Sequence, residues 1–296
     1  MRSIRRNKAV RYPEFRVSHR TFWTRLAVVL LACAALFAAD PPLSNEEVGA
    51  AWQTLVIAAT RAAAAKDFKS SEELLQRAVK ITSRFPAGDA RVGTTQNTLG
   101  LVYREEKKYA EAAKAFESAL MMLERSYGPE SLDVANIDFN IGSVLIADGK
   151  YDAALPHIQH SRSIFEKVLG GQSLKAAAAY CLLGEAYRNM NRFDDAEKPL
   201  KQCADLREAS SGMDSPDLAD ALYNLGLVYE HQGKLKLAEP NLKLAAKIRE
   251  LTLGVTSPEF AEALEAHSAI LKSMGRADEA KKEADLVGAV RRNERK

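Results

Sequence analysis

The side chains best suited to chemistry are few, and the first to consider are His157 and His160, three residues apart. On a helix both would lie on one face, where two imidazoles can ligate a metal ion. A metal site needs further ligands, and no carboxylate or cysteine in the same segment supplies an obvious third one. We therefore expect two partly exposed histidines, with no metal and no other cofactor.

No set of residues in the sequence suggests catalysis. His231 lies in a predicted turn, and neither it nor His267 has a plausible nucleophile and base beside it. The sequence contains no phosphate-binding glycine loop and no nucleophile elbow. We therefore predict no catalytic residue and a protein that is not an enzyme. The alternative, a hydrolase or metalloprotein, would require both stoichiometric metal and turnover in the purified protein.

Two of the three cysteines allow two interpretations. Cys181 and Cys203 are predicted to lie on paired helices, so an oxidising compartment would permit a disulfide between them. Cys203 also lies at multiples of 42 residues from Ala119 and Ala245, which favours a small apolar core residue. We favour the second interpretation and leave the disulfide open.

The elements that would position these side chains are marked by a repeat of 42 residues. A glycine after an apolar residue recurs at this spacing, as do a basic residue, an alanine four residues later, and a second glycine followed by a serine. Chance does not keep so many columns in register. The columns are Gly100, Gly142, Gly184 and Gly226; Lys108, Lys150, Arg192, Lys234 and Arg276; Ala112, Ala154, Ala196, Ala238 and Ala280; Gly128, Gly170, Gly212 and Gly254; and Ser131, Ser173, Ser215 and Ser257.

Each column fits one part of a helical hairpin. Gly149, Asn191, Gly233 and Gly275 precede the basic residue in four units, and glycine and asparagine adopt the left-handed conformation that ends a helix. The first glycine and the alanine twelve residues later are small enough for two helices to approach closely. The serines are predicted to cap the first helix of each unit. We therefore predict units of helix, tight turn, second helix and loop.

The pattern resembles a known family on two stretches in particular: Leu99 to Tyr103 with Tyr109, Ala112, Phe116 and Ala119, and Leu225 to Tyr229 with Ala238 and Ala245. It resembles the tetratricopeptide repeat (TPR), and the 42-residue period is similar to the kinesin-light-chain type. The resemblance implies an all-α, right-handed α-solenoid superhelix of about six stacked helix-turn-helix units. The array would cover residues 48–290, with an atypical first repeat and a capping last repeat, followed by a polar tail, 291–296.

The resemblance also implies a binding surface, because the concave side of such a superhelix receives an extended or helical peptide segment. Asparagine is a poor helix former, and its amide offers a donor and an acceptor to a peptide backbone. Aromatic rings can anchor an apolar side chain, and arginines can pair with acidic groups. Solvated or packing roles are the alternatives for all of these side chains. The candidate peptide-binding residues are Asn97, Arg104, Phe139, Asn140, Arg188, Tyr223 and Asn224.

The charge on the predicted inner surface restricts the partner. Four positions of each first helix are predicted to point inward: six, three and two residues before the first glycine column, and one residue after it. In all six first helices these positions contain no lysine or arginine. Members of the family that clamp a partner's terminal carboxylate need basic residues there, so this class of co-chaperone is disfavoured. The partner is otherwise an unknown protein or peptide.

The charge along the chain is uneven. The net charge is +3, yet residues 1–39 carry +7, so the remaining 257 residues carry −4. A mildly acidic body offers no electrostatic footprint for nucleic acid. We therefore expect no nucleic-acid partner.

Residues 1–39 are typical of an export signal. A basic stretch precedes fourteen apolar residues, 26–39, which as a helix would span about 21 Å, less than the ~30 Å hydrocarbon core. We predict a cleaved signal peptide, with a short linker at 40–47 and a periplasmic or secreted location. In the alternative, residues 22–39 form an uncleaved signal-anchor that tethers the array to the inner membrane, with Phe22 and Trp23 at the interface. The predicted function is a non-enzymatic protein-interaction scaffold, exported to the cell envelope.

Overall fold

The computed structural model describes residues 44–212 and 214–293, and these ranges contain twelve α-helices and no strand. The predicted all-α class is confirmed. The helices are α1 (Asn45–Ala64), α2 (Phe68–Thr82), α3 (Ala90–Glu105), α4 (Tyr109–Tyr127), α5 (Leu132–Ala147), α6 (Tyr151–Leu169), α7 (Leu174–Asn189), α8 (Phe193–Ser211), α9 (Pro216–His231), α10 (Leu235–Leu253), α11 (Pro258–Ser273) and α12 (Ala277–Asn293).

The helices form six hairpins that stack in chain order. Each helix contacts mainly the helix before it and the helix after it in the chain. The buried side chains cross the boundaries between hairpins, and one cluster runs from Ala112 in α4 to Ala186 in α7. A hairpin therefore completes its core only against its neighbours, as in a solenoid.

The tight turn inside each hairpin depends on one residue with a left-handed backbone. This residue has a φ between 58° and 80° in all six units. The predicted glycine or asparagine provides it in the last four units. The first two units use a lysine at the same place, which the sequence pattern did not reveal. The six residues are Lys66, Lys107, Gly149, Asn191, Gly233 and Gly275.

Serine caps begin three of the four first helices for which they were predicted. The hydroxyl oxygens of Ser131, Ser173 and Ser257 each accept a hydrogen bond from the backbone N–H three residues later, at 3.1–3.3 Å. Ser215 makes no such bond and is buried. Nothing in the structure explains this difference.

The first glycine column is where the two helices of a hairpin meet. A Cβ atom at Gly184 would lie 2.3 Å from Cγ of Leu200, and a Cβ at Gly142 would lie 2.4 Å from Ile158. Gly100 and Gly226 lie as closely against Phe116 and Leu242. The partner that fills the missing Cβ is thus a large residue sixteen positions later, one turn beyond the predicted alanine. Close packing of this kind leaves no room for a side chain.

The ends of the array differ from the predicted boundaries. Ser44 and Glu47 form a capping box, so α1 begins at Asn45, inside the segment 40–47 that was assigned to a linker. At the other end α12 continues through Asn293, into the predicted polar tail. The export segment, 1–39, lies outside the described residues. Among the helices of the described ranges, none is both long enough and apolar enough to cross a membrane.

We expect Gly184→Leu to lower the free energy of unfolding by roughly 1–3 kcal/mol or more, because the new side chain overlaps Leu200. Urea unfolding followed by far-UV circular dichroism measures the change. Gly171→Leu is the matched control, since a Cβ there meets no atom within 4 Å. Equal stability of both variants and the parent chain would refute the close approach.

Candidate functional site: the inner face of the array

The first helices of successive hairpins form the inner face of the stack. Within the described residues, the pairs α5–α7, α7–α9 and α9–α11 contact each other directly, and no two successive second helices do so to the same extent. Helices on the inner side of a curved stack lie closer together, so the first helices line the concave side. All seven predicted site residues lie on these helices and are half-buried: Asn97 and Arg104 on α3, Phe139 and Asn140 on α5, Arg188 on α7, and Tyr223 and Asn224 on α9.

A cavity of about 210 Å³ opens on this face between α5, α7 and α9. Phe139 and Leu182 contribute apolar walls, and Glu185 and Asn224 contribute polar groups. The cavity thus brings together two of the predicted residues, Phe139 and Asn224. Its mixture of apolar walls and a few polar groups is typical of a binding site.

Glu185 is the least compensated charge in the cavity. Burial raises the pKa of its carboxyl group, the nearby Arg188 guanidinium acts in the opposite direction, and Asp220 raises the pKa further. No hydrogen bond or ion pair from any described residue reaches this carboxylate. Glu185 has therefore lost part of its hydration without gaining a protein partner.

Two arginines from the second helices neutralise the other acids around the cavity. Arg249, almost fully buried, donates hydrogen bonds to the carboxylates of Asp220 at 2.9 Å and Glu262 at 3.3 Å. Arg207 pairs with Asp217 at 2.7 Å in the same way. These pairs leave Glu185 as the acid without a cation of its own.

Arg207 and Arg249 were not among the predicted site residues, although the repeat pattern of the sequence indicates them. Positions 207 and 249 belong to a column that contains Leu123 and Phe165 in the preceding units, both buried in the core. A change from apolar to arginine in a core column indicates an ion pair that the neighbouring helix must complete.

Tyr223 is held mainly by contacts within the protein. Its ring lies 4.5 Å from the Arg249 guanidinium and packs against three clusters of core residues. Burial raises the pKa of its hydroxyl to about 12, and the negative charge of Glu262 adds to the effect. Tyr223 therefore fixes Arg249 in place while its edge remains on the inner face.

The predicted asparagines make different contacts. The Asn140 amide donates a hydrogen bond to the Asn97 side-chain oxygen at 3.1 Å, so these two residues form a pair across α3 and α5. The Asn224 amide donates to the backbone oxygen of Asp220 at 3.0 Å, within its own helix. Each amide retains one N–H for a ligand, because an NH₂ group has two donors.

The remaining predicted residues lie apart from one another. Arg104 pairs with its neighbour Glu105 at the surface. Phe139 lies 6.4 Å from the ring of Phe165 and so combines a packing contact with its place in the cavity wall. Arg188 lies near Glu185, and its Nε is buried without a hydrogen-bond partner among the described residues.

The expectation for His157 and His160 needs a correction. Their Nδ1 atoms lie 2.7 Å and 2.6 Å from the two carboxylate oxygens of Asp138, which is buried on the facing helix α5 of the same unit. The sequence interpretation assumed that no carboxylate of the unit reached them. Asp138 is 19 and 22 residues away in the chain, so only the pairing of α5 with α6 brings it to them.

His231 and His267 are also held by neighbours. His267 is buried, with Nδ1 2.9 Å from the Glu283 carboxylate. His231, the last residue of α9, stacks on Phe193 at 4.3 Å. Within the described ranges no group of three or more His, Cys, Asp or Glu side chains is arranged to hold a metal ion.

The predicted core position of Cys203 is confirmed, and the preference against a disulfide is wrong. Cys181 and Cys203 form a disulfide that joins α7 to α8, with their Cα atoms 5.3 Å apart. Cys203 is fully buried in the predicted core column, and Cys181 lines the cavity beside Glu185. The core position and the disulfide therefore do not exclude each other: the buried column provides one end of the bridge.

The geometry defines the class of protein: an all-α repeat solenoid. A sequence profile of the tetratricopeptide repeat family matches residues 51–131, 133–209 and 217–283, and the chain belongs to this family. The predicted resemblance to the tetratricopeptide repeat is confirmed. Repeats of this family generally act as protein-interaction scaffolds. No curated protein sequence matches the chain.

Three solved structures illustrate the shared fold. BtubC (BKLC) from P. vanneervenii is 24% identical, with a TM-score of 0.63 over 79% of this chain and 92% of that chain. A Podosopora anserina putative kinesin light chain with nearly identical TPR-like repeats is 18% identical, with a TM-score of 0.58 over 68% and 95%. The apo form of RapI is 14% identical, with a TM-score of 0.63 over 81% and 97%. At these identities the likeness shows the fold alone.

We expect the double variant Cys181→Ala/Cys203→Ala to lose roughly 2–4 kcal/mol of unfolding free energy relative to the oxidised chain, because the bridge restricts the unfolded state. Denaturant unfolding of both proteins measures this loss. Under reducing conditions the two should unfold at similar denaturant concentrations. Thiol titration of the denatured chain should find two fewer free thiols before reduction than after it, and equal numbers would contradict the bridge.

Proposed function

We propose that this chain is a non-enzymatic scaffold that binds a peptide segment of a partner protein along the concave face of its TPR array. The observation that carries the proposal is the cavity between α5, α7 and α9, where apolar walls and unpaired polar groups converge on the inner face. Apolar walls can contact the side chains of a ligand, and unpaired polar groups can bond its backbone, so this surface fits a peptide.

The inner face supports an extended ligand because its binding groups are spread over several units. The Asn97–Asn140 pair, the cavity at Phe139 and the free N–H of Asn224 extend over four successive first helices, α3 to α9. A small molecule would occupy a single cavity, whereas a peptide can contact groups on neighbouring units in turn. Each repeat would contribute a few contacts, and the whole face would provide the affinity.

We expect Asn140→Ala combined with Asn224→Ala to weaken peptide binding about tenfold or more, because two amides that can bond a ligand backbone are removed. Peptides selected from a random display library on the immobilised full chain supply the probe, and fluorescence anisotropy measures Kd. Circular dichroism should show unchanged helicity.

Asn241→Ala is the matched control for this experiment. The Asn241 amide also donates to a backbone oxygen four residues earlier, as the Asn224 amide does, but it lies on the second helix α10. If the double variant binds the selected peptides as tightly as the control does, the inner face is not the binding surface.

We further propose that the chain is exported to the cell envelope, as a periplasmic or secreted protein. The support is the basic and apolar pattern of residues 1–39 and a disulfide that an oxidising compartment would maintain. The second candidate is a TPR assembly protein held at the inner membrane by an uncleaved helix from residues 22–39. The same basic and apolar residues favour it, since an uncleaved signal serves as an anchor.

N-terminal sequencing of the protein from fractionated cells distinguishes the two locations. A cleaved export signal predicts a mature start near Ala39 or Asp40 in the soluble envelope or secreted fraction. A start at Met1 or Arg2 in the membrane fraction would instead support the anchored form, and an intact chain in the cytoplasmic fraction would refute both.

A further inference from the structure

The cavity at Glu185 has the size of a site for one side chain. Its volume of about 210 Å³ is below the ~300–1,000 Å³ of sites that enclose a whole small molecule. It opens on the inner face, where the proposed peptide would lie, and Phe139 and Leu182 form its apolar walls. Glu185 lines the same cavity, so one ligand side chain can contact both the apolar walls and the Glu185 carboxylate.

The charges around the cavity favour a cation over an anion. The inward positions of the six first helices contain four acids, Glu185, Asp220, Glu262 and Glu265, and no lysine or arginine. Three of these acids pair with an arginine of the chain, namely Asp220 and Glu262 with Arg249, and Glu265 with Arg291. Glu185 has no such partner among the described residues.

The environment of Glu185 explains why a cation would bind there. Burial has removed part of the hydration of its carboxylate, and no donor of the protein replaces it. Arg188, one turn further along α7, is close enough to lower the pKa of Glu185 but forms no ion pair with it. A ligand cation would supply both a charge and hydrogen-bond donors to a carboxylate that already lies in place.

We propose that this cavity recognises a lysine or arginine side chain of the bound peptide, with the aliphatic stem against Phe139 and Leu182 and the cationic group on Glu185. The proposal rests on the proposed function and adds the chemistry of one ligand residue to it. Long basic side chains suit the site because their stems cover apolar surface while the charged end reaches a polar group. Asn224, on the cavity wall, is placed to bond the adjoining peptide backbone.

A random peptide display library selected on the immobilised full chain tests the proposal. We expect the enriched peptides to share a lysine or arginine at one fixed position. Selection on Glu185→Gln should remove this preference, and its Kd for the parent's peptides should be at least tenfold weaker. The substitution keeps the shape of the side chain and removes only the charge, so thermal unfolding should change little.

Two further variants make the experiment specific. Arg188→Gln removes a cation near the cavity, so it should bind the same peptides more tightly; an acidic ligand residue would produce the opposite change. Glu117→Gln is the matched control, because Glu117 is an exposed acid on the second helix α4. It should leave both the preference and Kd unchanged.

The outcomes separate this inference from the proposed function. Enriched peptides without a fixed basic residue, or a basic preference that survives Glu185→Gln, would overturn the inference and leave peptide binding intact. Failure of the full chain to enrich any peptide would overturn the proposed function and the inference with it.

Discussion

The close approach of two helices at the first glycine column is the contact on which the rest of the structure depends. In the four central hairpins, a large apolar side chain of the second helix lies where the glycine has no Cβ. In the first and last hairpins Ala59 and Ser268 stand at the glycine position, and a serine hydroxyl joins the two helices there. Ser71 donates a hydrogen bond to the backbone oxygen of Ala59, and Ser268 donates one to the backbone oxygen of Ala280. The two helices of every hairpin therefore meet at corresponding positions of the repeat, which allows successive hairpins to stack in register.

The residues on the inner face can differ between units because they do not belong to the repeated columns. The glycines and their large partners lie between the two helices of a hairpin, and the left-handed residues lie in its turns, whereas the inward positions of the first helices differ from unit to unit. Those positions contain amides in α3 and α5, an apolar cavity wall at Leu182, and acids in α9 and α11. The scaffold is thus repetitive while the binding surface is specific to this chain.

The last units show how variation in a core column reaches the inner face. Arg207 and Arg249 replace the leucine and phenylalanine of earlier units, and their guanidinium groups pair with acids of the neighbouring first helices: Arg207 with Asp217 of α9, and Arg249 with Asp220 of α9 and Glu262 of α11. These pairs engage Asp217 and Asp220 and leave Glu185 as the lining acid without an ion pair among the described residues.

The sequence alone determined the period, the six hairpins, the turn residues of four units and most caps, because these features recur in every unit and depend on local conformation. It also placed all seven candidate residues on the first helices. Tertiary structure alone decided which side chains meet: Asp138 with two histidines, Arg249 with Asp220, and Cys181 with Cys203. Each of these contacts joins two helices in one unit only, so the 42-residue repeat does not predict it. They arise only once two helices are packed side by side.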